Sequence, residues 1–252
     1  MNLGISHLAW DNNDLFGDLS NILIKNNINF LEVVFPKLIS WKESDYSKID
    51  YFFSLVKSLG FNIYSTQSIL HKSNVFDMCS IDFINHINIV CEICGNYNIK
   101  KIVLGAPSIR NVYAQDELLN VFFTIDNILK DKNQILCIEP NADFYMGKYF
   151  FTIKEIVSFI KLGNFTNIKT MIDTHNILLM GESPKKELLL HKDYIHHIHI
   201  SEKNLGYFTN SQDHIDLSKQ LKKIDYTDPI IYEVKDIIKN KESLQAFNKI
   251  YS

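Results

Sequence analysis

Short apolar runs alternate along the chain with longer stretches in which apolar positions recur at helical spacing. Leu3 to Trp10 reads as a first strand, with a helix from about Asp14 to Lys25. Phe30 to Phe35 precedes a helix around Ile49 to Leu59, and Phe61 to Thr66 precedes one from Ile81 to about Gly95. Lys101 to Leu104 precedes a helix around Asp116 to Leu129, and Gln134 to Ile138 one from Thr152 to Ile160. Ile168 to Ile172, Tyr194 to Ile200 and Pro229 to Val234 precede helices at Lys185 to His191, Asp216 to Lys222 and Lys241 to Ile250. Eight such pairs predict an α/β protein, a single (β/α)8 TIM barrel over residues 1–252. Runs such as Ile102-Val103-Leu104 are apolar without alternation, as parallel strands buried on both faces require. An open doubly wound sheet would carry a glycine-rich phosphate turn after its first strand. Ala9-Trp10-Asp11-Asn12-Asn13 is no such turn.

Composition changes this picture little. Hydrophobic residues make up 46% and charged residues 22%, and a chain of 252 residues can bury a core that needs no staples. No run approaches the roughly 20 apolar residues of a membrane span. Met1-Asn2-Leu3-Gly4 lacks the basic start of a signal peptide, and four cysteines are too few for a disulfide scaffold, so a cytoplasmic protein is expected. A net charge of −3 disfavours a nucleic-acid partner. Cys91 and Cys94 have C-x-x-C spacing, but they fall late in a predicted helix, whereas a redox pair sits at a helix N-terminus. They read as core, as do Cys79 and Cys137.

In a barrel of this type the chemistry gathers at the C-terminal ends of the strands. The polar residues there form a short series. Glu32 lies on the second strand and Gln67 after the third. Glu139 and Asn141 follow the fifth, and Asp173 and Asn176 the sixth. His197 and His199 lie on the seventh with Ser201, Glu202 and Asn204 beyond, and Glu233 lies on the eighth. His196 alternates to the other face. Glu139, Asp173, His199 and Glu233 come from four consecutive strands. A carboxylate at a buried strand end is costly without a partner. Each acid alone reads equally well as an ordinary salt-bridged or solvated residue, but four in register predict a site for one divalent cation. Three carboxylates and an imidazole favour Mn²⁺, with Mg²⁺, Co²⁺ and Zn²⁺ as alternatives.

The segment His197-Ile198-His199-Ile200-Ser201-Glu202-Lys203-Asn204 resembles the His-x-His, Glu, Asn pattern of ketose 3-epimerases. With the strand-end acids, the resemblance extends over nearly the whole chain to the sugar phosphate isomerase/epimerase superfamily of xylose isomerase-like barrels. It implies a metal-dependent isomerase or epimerase of a sugar or sugar derivative. Glu139, Asp173, His199 and Glu233 would be the ligands, and Glu139 and Glu233 also the acid/base pair. His197, Asn176, Glu202, Asn141 and Gln67 would face the sugar. Two positions depart from the pattern. Relatives carry a sugar-binding His where this chain has Asn176, and an Arg where it has Leu205, so the metal chemistry carries over further than the substrate. Ile5 to Asp11, Thr66 to Leu70 and Leu104 to Arg110 resemble barrels that accompany surface-glycan and nonulosonate biosynthesis enzymes. Relatives commonly form dimers or tetramers, which implies a homo-oligomer.

A cation beside a carbonyl and its neighbouring hydroxyl acidifies the C–H between them and stabilises the enediolate. One carboxylate removes the proton and another returns it from the opposite face. Return to the same carbon epimerises, and return to the adjacent carbon isomerises. Expulsion of a β-hydroxyl instead would make the protein a dehydratase of a keto-sugar or inosose. An endonuclease IV-like nuclease would need several zinc ions, more histidines and a basic surface. A non-catalytic sugar- or metal-binding barrel is the alternative outside enzymes. Arg110, the only arginine, follows predicted strand 4 and reads either as a clamp on an acidic or phosphorylated sugar or as a surface salt bridge. His7 reads as a substrate contact or as a satisfied core histidine. Trp10, Phe35, Trp41 and Tyr145 fall in strand-to-helix loops, where they wall a pocket or pack. Gly147 marks a turn in a lid-like loop from Asp143 to Phe150.

Overall fold

The computed structural model describes residues 1–11, 17–42 and 45–252. Eight parallel strands close into a barrel in sequence order. They are β1 Leu3–Ser6, β2 Ile28–Val33, β3 Asn62–Thr66, β4 Lys101–Leu104, β5 Ile135–Ile138, β6 Ile168–Asp173, β7 Ile195–Ser201 and β8 Ile230–Glu233, and β8 pairs back with β1. Around them lie α1 Asp18–Lys25, α2 Ser47–Ser58, α3 Ile81–Asn96, α4 Gln115–Asp131, α5 Ile153–Gly163, α6 Thr174–Leu179, α7 Pro184–His191, α8 Gln212–Lys223 and α9 Lys241–Tyr251. This is the expected TIM barrel. The proposed start of the first helix, before Asp18, falls on residues 12–16, outside the described residues.

The continuous apolar runs are divided between two cores. Ile102, Leu104, Leu136, Ile138, Ile172, Ile198, Ile200 and Tyr232 belong to the large cluster between the strands and the helices. Fully burying one such side chain stabilises by about 1.5–3 kcal/mol. Val103, Cys137 and Met171 form a separate small cluster. They alternate with the first set along β4, β5 and β6, so they fill the barrel interior. The same alternation sends Glu139, Asp173 and His199 inward, one level further towards the C-terminal ends. On β7 the pairing shifts, so that Thr170 faces Ile195 but Met171 faces His197 and Asp173 faces His199. Alternation puts His197 and His199, and not His196, on the interior face, and the shift sets His197 level with Met171.

Two local features differ from the sequence expectation. The first strand ends at Ser6, because the Ser6 hydroxyl accepts a hydrogen bond from Leu8 N and turns the chain into a 3-10 turn over His7–Ala9. The helix α6 follows β6 without a break. Asp173 Oδ1 caps it by accepting from Asn176 N at 2.7 Å.

Candidate metal and active site

Glu139, Asp173, His199 and Glu233 converge at the C-terminal mouth of the barrel. Each offers one ligand atom, and these atoms all lie within 4.8 Å of one another. His199 Nδ1 is 3.7 Å from Glu139 Oε1 and 3.7 Å from Glu233 Oε2. It is buried and has no hydrogen-bond partner among the described residues. Asp173 is held by two donors: Asn176 N at 2.7 Å on Oδ1 and the Ser201 hydroxyl at 2.8 Å on Oδ2. Asn141 Nδ2 donates to Glu139 Oε2 at 3.2 Å. Gly105, beside Glu139 across β4 and β5, has no side chain for a reason: a Cβ there would collide with Glu139 Oε2.

The electrostatics leave this cluster short of positive charge. Burial and then the neighbouring Glu139 push the Asp173 carboxyl up to about 6, against relief from His199, Asn176 and Ser201. Burial pushes Glu233 up to about 8. His199 opposes that rise, while Glu139, Asp173 and Glu32 add to it. Burial disfavours the His199 imidazolium, but Glu32 and Glu233 outweigh it and hold the ring well above its ordinary value. Three carboxylates crowded around an imidazole nitrogen with no hydrogen-bond partner fit a divalent cation, which would replace the missing charge and take, in place of a proton, the Nδ1 lone pair.

A cavity opens over the cluster in two lobes that share Glu139 and Glu233. One, of about 410 Å³, is lined by Gln67 to Lys72 and by Gly105, Ala106 and Ser108. The other, of about 520 Å³, is lined by Asn141, Tyr145, His175, Asn176, Leu205 and Lys235 among others. Gln67, Asn141 and Asn176 therefore line this cavity. Asn176 has a second task, since its Oδ1 accepts from Ala142 N at 3.2 Å and ties the loop after β5 to α6.

Four expected substrate contacts are elsewhere. Arg110 is fully buried. Its guanidinium donates to the carbonyls of Phe150, Leu104, Gly105 and Glu139, and lies over the Phe150 ring. It braces the ends of β4 and β5 and is not an anion clamp, because its fork is already spent on backbone. His7 is buried between the rings of Phe52 and Trp10 at 5.0 and 5.1 Å and lines neither lobe. His197 is buried with Nε2 2.8 Å from Glu32 Oε2, away from the cavity. Glu202 accepts from Thr209 N, from the Thr209 hydroxyl and from His214 Nε2, so it shapes the loop after β7 and does not line the cavity. Among the four loop aromatics, Tyr145 lines the cavity, while Trp10 and Phe35 are core. Trp41 donates from Nε1 to His71 O at 2.9 Å.

Glu32 has a larger part than its position on an early strand suggested. Its carboxylate is fully buried. Oε1 lies 2.7 Å from His199 Nε2, and Oε2 accepts from the Ser65 hydroxyl at 2.7 Å. Burial alone would raise its carboxyl, yet the two imidazoles hold it well below the usual carboxylate range. A buried acid on β2 facing a His-x-His strand was the available sequence signal.

Comparison with known families settles the kinship. The family model described as a xylose isomerase-like TIM barrel matches residues 25–250. The chain belongs to that family. Similar solved structures include the 3-keto-D-glucoside 4-epimerase of E. coli, with TM-score 0.78 at 13% identity over 99% of both chains. The D-psicose 3-epimerase of Clostridium cellulolyticum H10, solved with D-tagatose, matches with TM-score 0.77 at 14% identity over 100% of both. The probable 3-DHS dehydratase of petrobactin synthesis from Bacillus anthracis matches with TM-score 0.69 at 14% identity, over 99% of this chain and 98% of that one. No curated protein matches by sequence. At these identities the structures share the fold with this xylose isomerase-like barrel. No described helix is long and apolar enough to cross a membrane.

Proposed function

We propose that this barrel is a divalent-cation-dependent isomerase or epimerase of a sugar or sugar derivative, with Mn²⁺ the favoured ion and the cytoplasm its place of work. The observation that carries this is the pair Glu139 and Glu233, each 3.7 Å from the unpartnered His199 Nδ1. They approach from β5 and β8, the two outer strands of the four that bear the cluster. Glu139, Asp173, His199 and Glu233 would hold the cation, which would supply polarisation of a carbonyl and its adjacent hydroxyl. The protein's own residues do the rest. One glutamate takes the proton from the carbon between those oxygens, and the other returns a proton from the opposite side. Positioned proton transfers of this kind are worth about 10²–10⁴-fold each. Gln67, Asn141 and Asn176 orient the hydroxyls, and Tyr145 covers one lobe. Sugar epimerases among the similar structures support the substrate class. An anionic substituent would meet Lys72 or Lys235, one in each lobe, and not Arg110.

One observation favours a second reading. The probable 3-DHS dehydratase among the similar structures shares this fold, and the same pair of glutamates could hand a proton to a departing β-hydroxyl once the first has taken the C–H proton. The test is incubation with Mn²⁺ and a panel of keto-sugars in D₂O. Deuterium at the carbon next to the carbonyl, with the sugar's mass otherwise kept, supports an isomerase or epimerase. Loss of water supports the dehydratase. No exchange with any keto-sugar, beside saturable sugar binding, would leave a binding protein.

A further inference from the structure

We propose that Glu32 is a positioning residue. With His197 it fixes His199 so that Nε2 carries the proton and Nδ1 is presented to the cation. This rests on the cation site proposed above and adds a group that does not touch it. His199 has two ring nitrogens and can carry a neutral-ring proton on either. A ring with Nδ1–H would present a donor to the cation instead of a lone pair. Glu32 removes that freedom. Its Oε1 lies 2.7 Å from His199 Nε2, a charge-assisted hydrogen-bond length. A hydrogen bond of that length needs one proton between the two atoms, and with Oε1 as the acceptor that proton sits on Nε2. The carboxylate is itself fixed: Oε2 takes the Ser65 hydroxyl at 2.7 Å and faces His197 Nε2 at 2.8 Å. Tyr64 stacks on His197 with ring centroids 5.8 Å apart, which limits rotation of that ring. All of these groups but Tyr64 are fully buried, so no water can substitute for a lost partner.

Glu32, His197 and His199 also have the residue types of a cation site of their own. Their 2.7 and 2.8 Å separations are hydrogen-bond lengths, however, and two ligands on one ion would stand further apart. One cation per chain is therefore expected, not two.

The substitution Glu32→Gln keeps shape and removes the uniform acceptor, since an amide must turn an N–H towards one of the two imidazoles. Calorimetric titration of the metal-free protein with Mn²⁺ should give one site in wild type and roughly 10–100-fold weaker binding in the variant, the usual effect of losing such an outer partner. Circular dichroism should stay unchanged. Nitrogen-detected NMR of the Mg²⁺-loaded wild type needs no variant: His199 should show a protonated, exchange-protected Nε2 and an unprotonated Nδ1. Mn²⁺ affinity in the folded Glu32→Gln variant within twofold of wild type would overturn the proposal and leave the site intact. So would a His199 protonated at Nδ1 in the loaded wild type, even if the variant failed to fold. Two equivalents of Mn²⁺ would overturn it in favour of the buried second site. A wild type with no saturable Mn²⁺ site would remove the cation itself and both readings with it.

Discussion

The two halves of the barrel end differently. The strands β5 to β8 deliver Glu139, Asp173, His199 and Glu233 to one point. The strands β1 to β4 end near Ser6, Gln67 and Gly105, and their one inward acid, Glu32, faces the far nitrogen of His199. One half supplies the charge and most of the lining of the larger lobe; the other supplies most of the smaller lobe and the support. The lobe of about 410 Å³ exists because Gly105 and Ala106 leave it open, and because Arg110 uses its charge on carbonyls instead of projecting into the space. The sharpest break in that asymmetry is at the acids. Glu139→Gln and Glu233→Gln should each lower deuterium exchange into the substrate by about 10²–10⁴-fold with an unchanged circular dichroism spectrum. Near-normal exchange in both would remove the acid/base assignment.

The next break attacks the supporting half from inside. Gly105→Ala places a methyl group against Glu139 Oε2, and the carboxylate must move to admit it. A displacement of about 1 Å at a reacting group can cost around 10²-fold in rate. Exchange should fall by about 10–100-fold while thermal stability stays close to wild type. An active Gly105→Ala enzyme would mean that Glu139 has slack and is less tightly placed than the structure shows. Arg110→Lys should act on stability instead. Lysine cannot span the carbonyls of Phe150, Leu104 and Glu139 together, and buried acceptors left unpaired cost about 1–3 kcal/mol. Differential scanning calorimetry should show a fall in Tm of several degrees. A loss of affinity for anionic substrates with Tm unchanged would restore the clamp.

The barrel was legible in the sequence because its strands are buried on both faces and its helices are amphipathic, two patterns that differ in period. The four converging residues were legible because strand ends have a fixed meaning in this architecture. What the sequence hid was direction and depth. Alternation put His197 on the interior face, but the pairing shift on β7 that sets it level with Met171, one layer below His199, leaves no mark in composition. His197 then faces Glu32, where the interior is closed, and not the substrate. Arg110 stood out by being the only arginine, yet its role follows from carbonyls that converge only in three dimensions. Glu202 was drawn to the sugar by a motif whose loop here folds it onto Thr209 and His214.

The charge imbalance between the halves also predicts a dependence on pH. Asp173 and Glu233 titrate near 6 and 8 when folded, against ordinary values of 3.8 and 4.5. Between those limits the metal-free fold keeps protons that the unfolded chain has released, so its stability falls as pH rises through that window. His199 adds in the same direction. Its folded value is raised, so its contribution is full below 6.5 and is lost as pH climbs towards that folded value. Glu32 acts oppositely and only in acid, where protonation below its ordinary 4.5 removes its contribution. A cation displaces the protons, so the rise in Tm given by Mn²⁺ should grow from pH 5 to pH 8. Scanning calorimetry with EDTA and with Mn²⁺ at both ends measures it. An increment that shrinks with pH would place the bound ion away from these carboxylates.

The smallest expected effect tests where the site ends. Glu202 accepts from Thr209 N at 2.7 Å, from the Thr209 hydroxyl at 2.6 Å and from His214 Nε2 at 3.2 Å. The substitution Glu202→Gln leaves an oxygen that can still take both Thr209 donors and loses only the charge felt by His214. Partly exposed pairs of this kind are worth about 0–1 kcal/mol. Exchange rate and KM should therefore stay within about twofold of wild type, with at most a small fall in Tm. If KM instead rose tenfold with kcat unchanged, Glu202 would be binding substrate in the ground state. The loop after β7 would then have to turn inward when sugar is bound, and the supporting shell would extend into the substrate site.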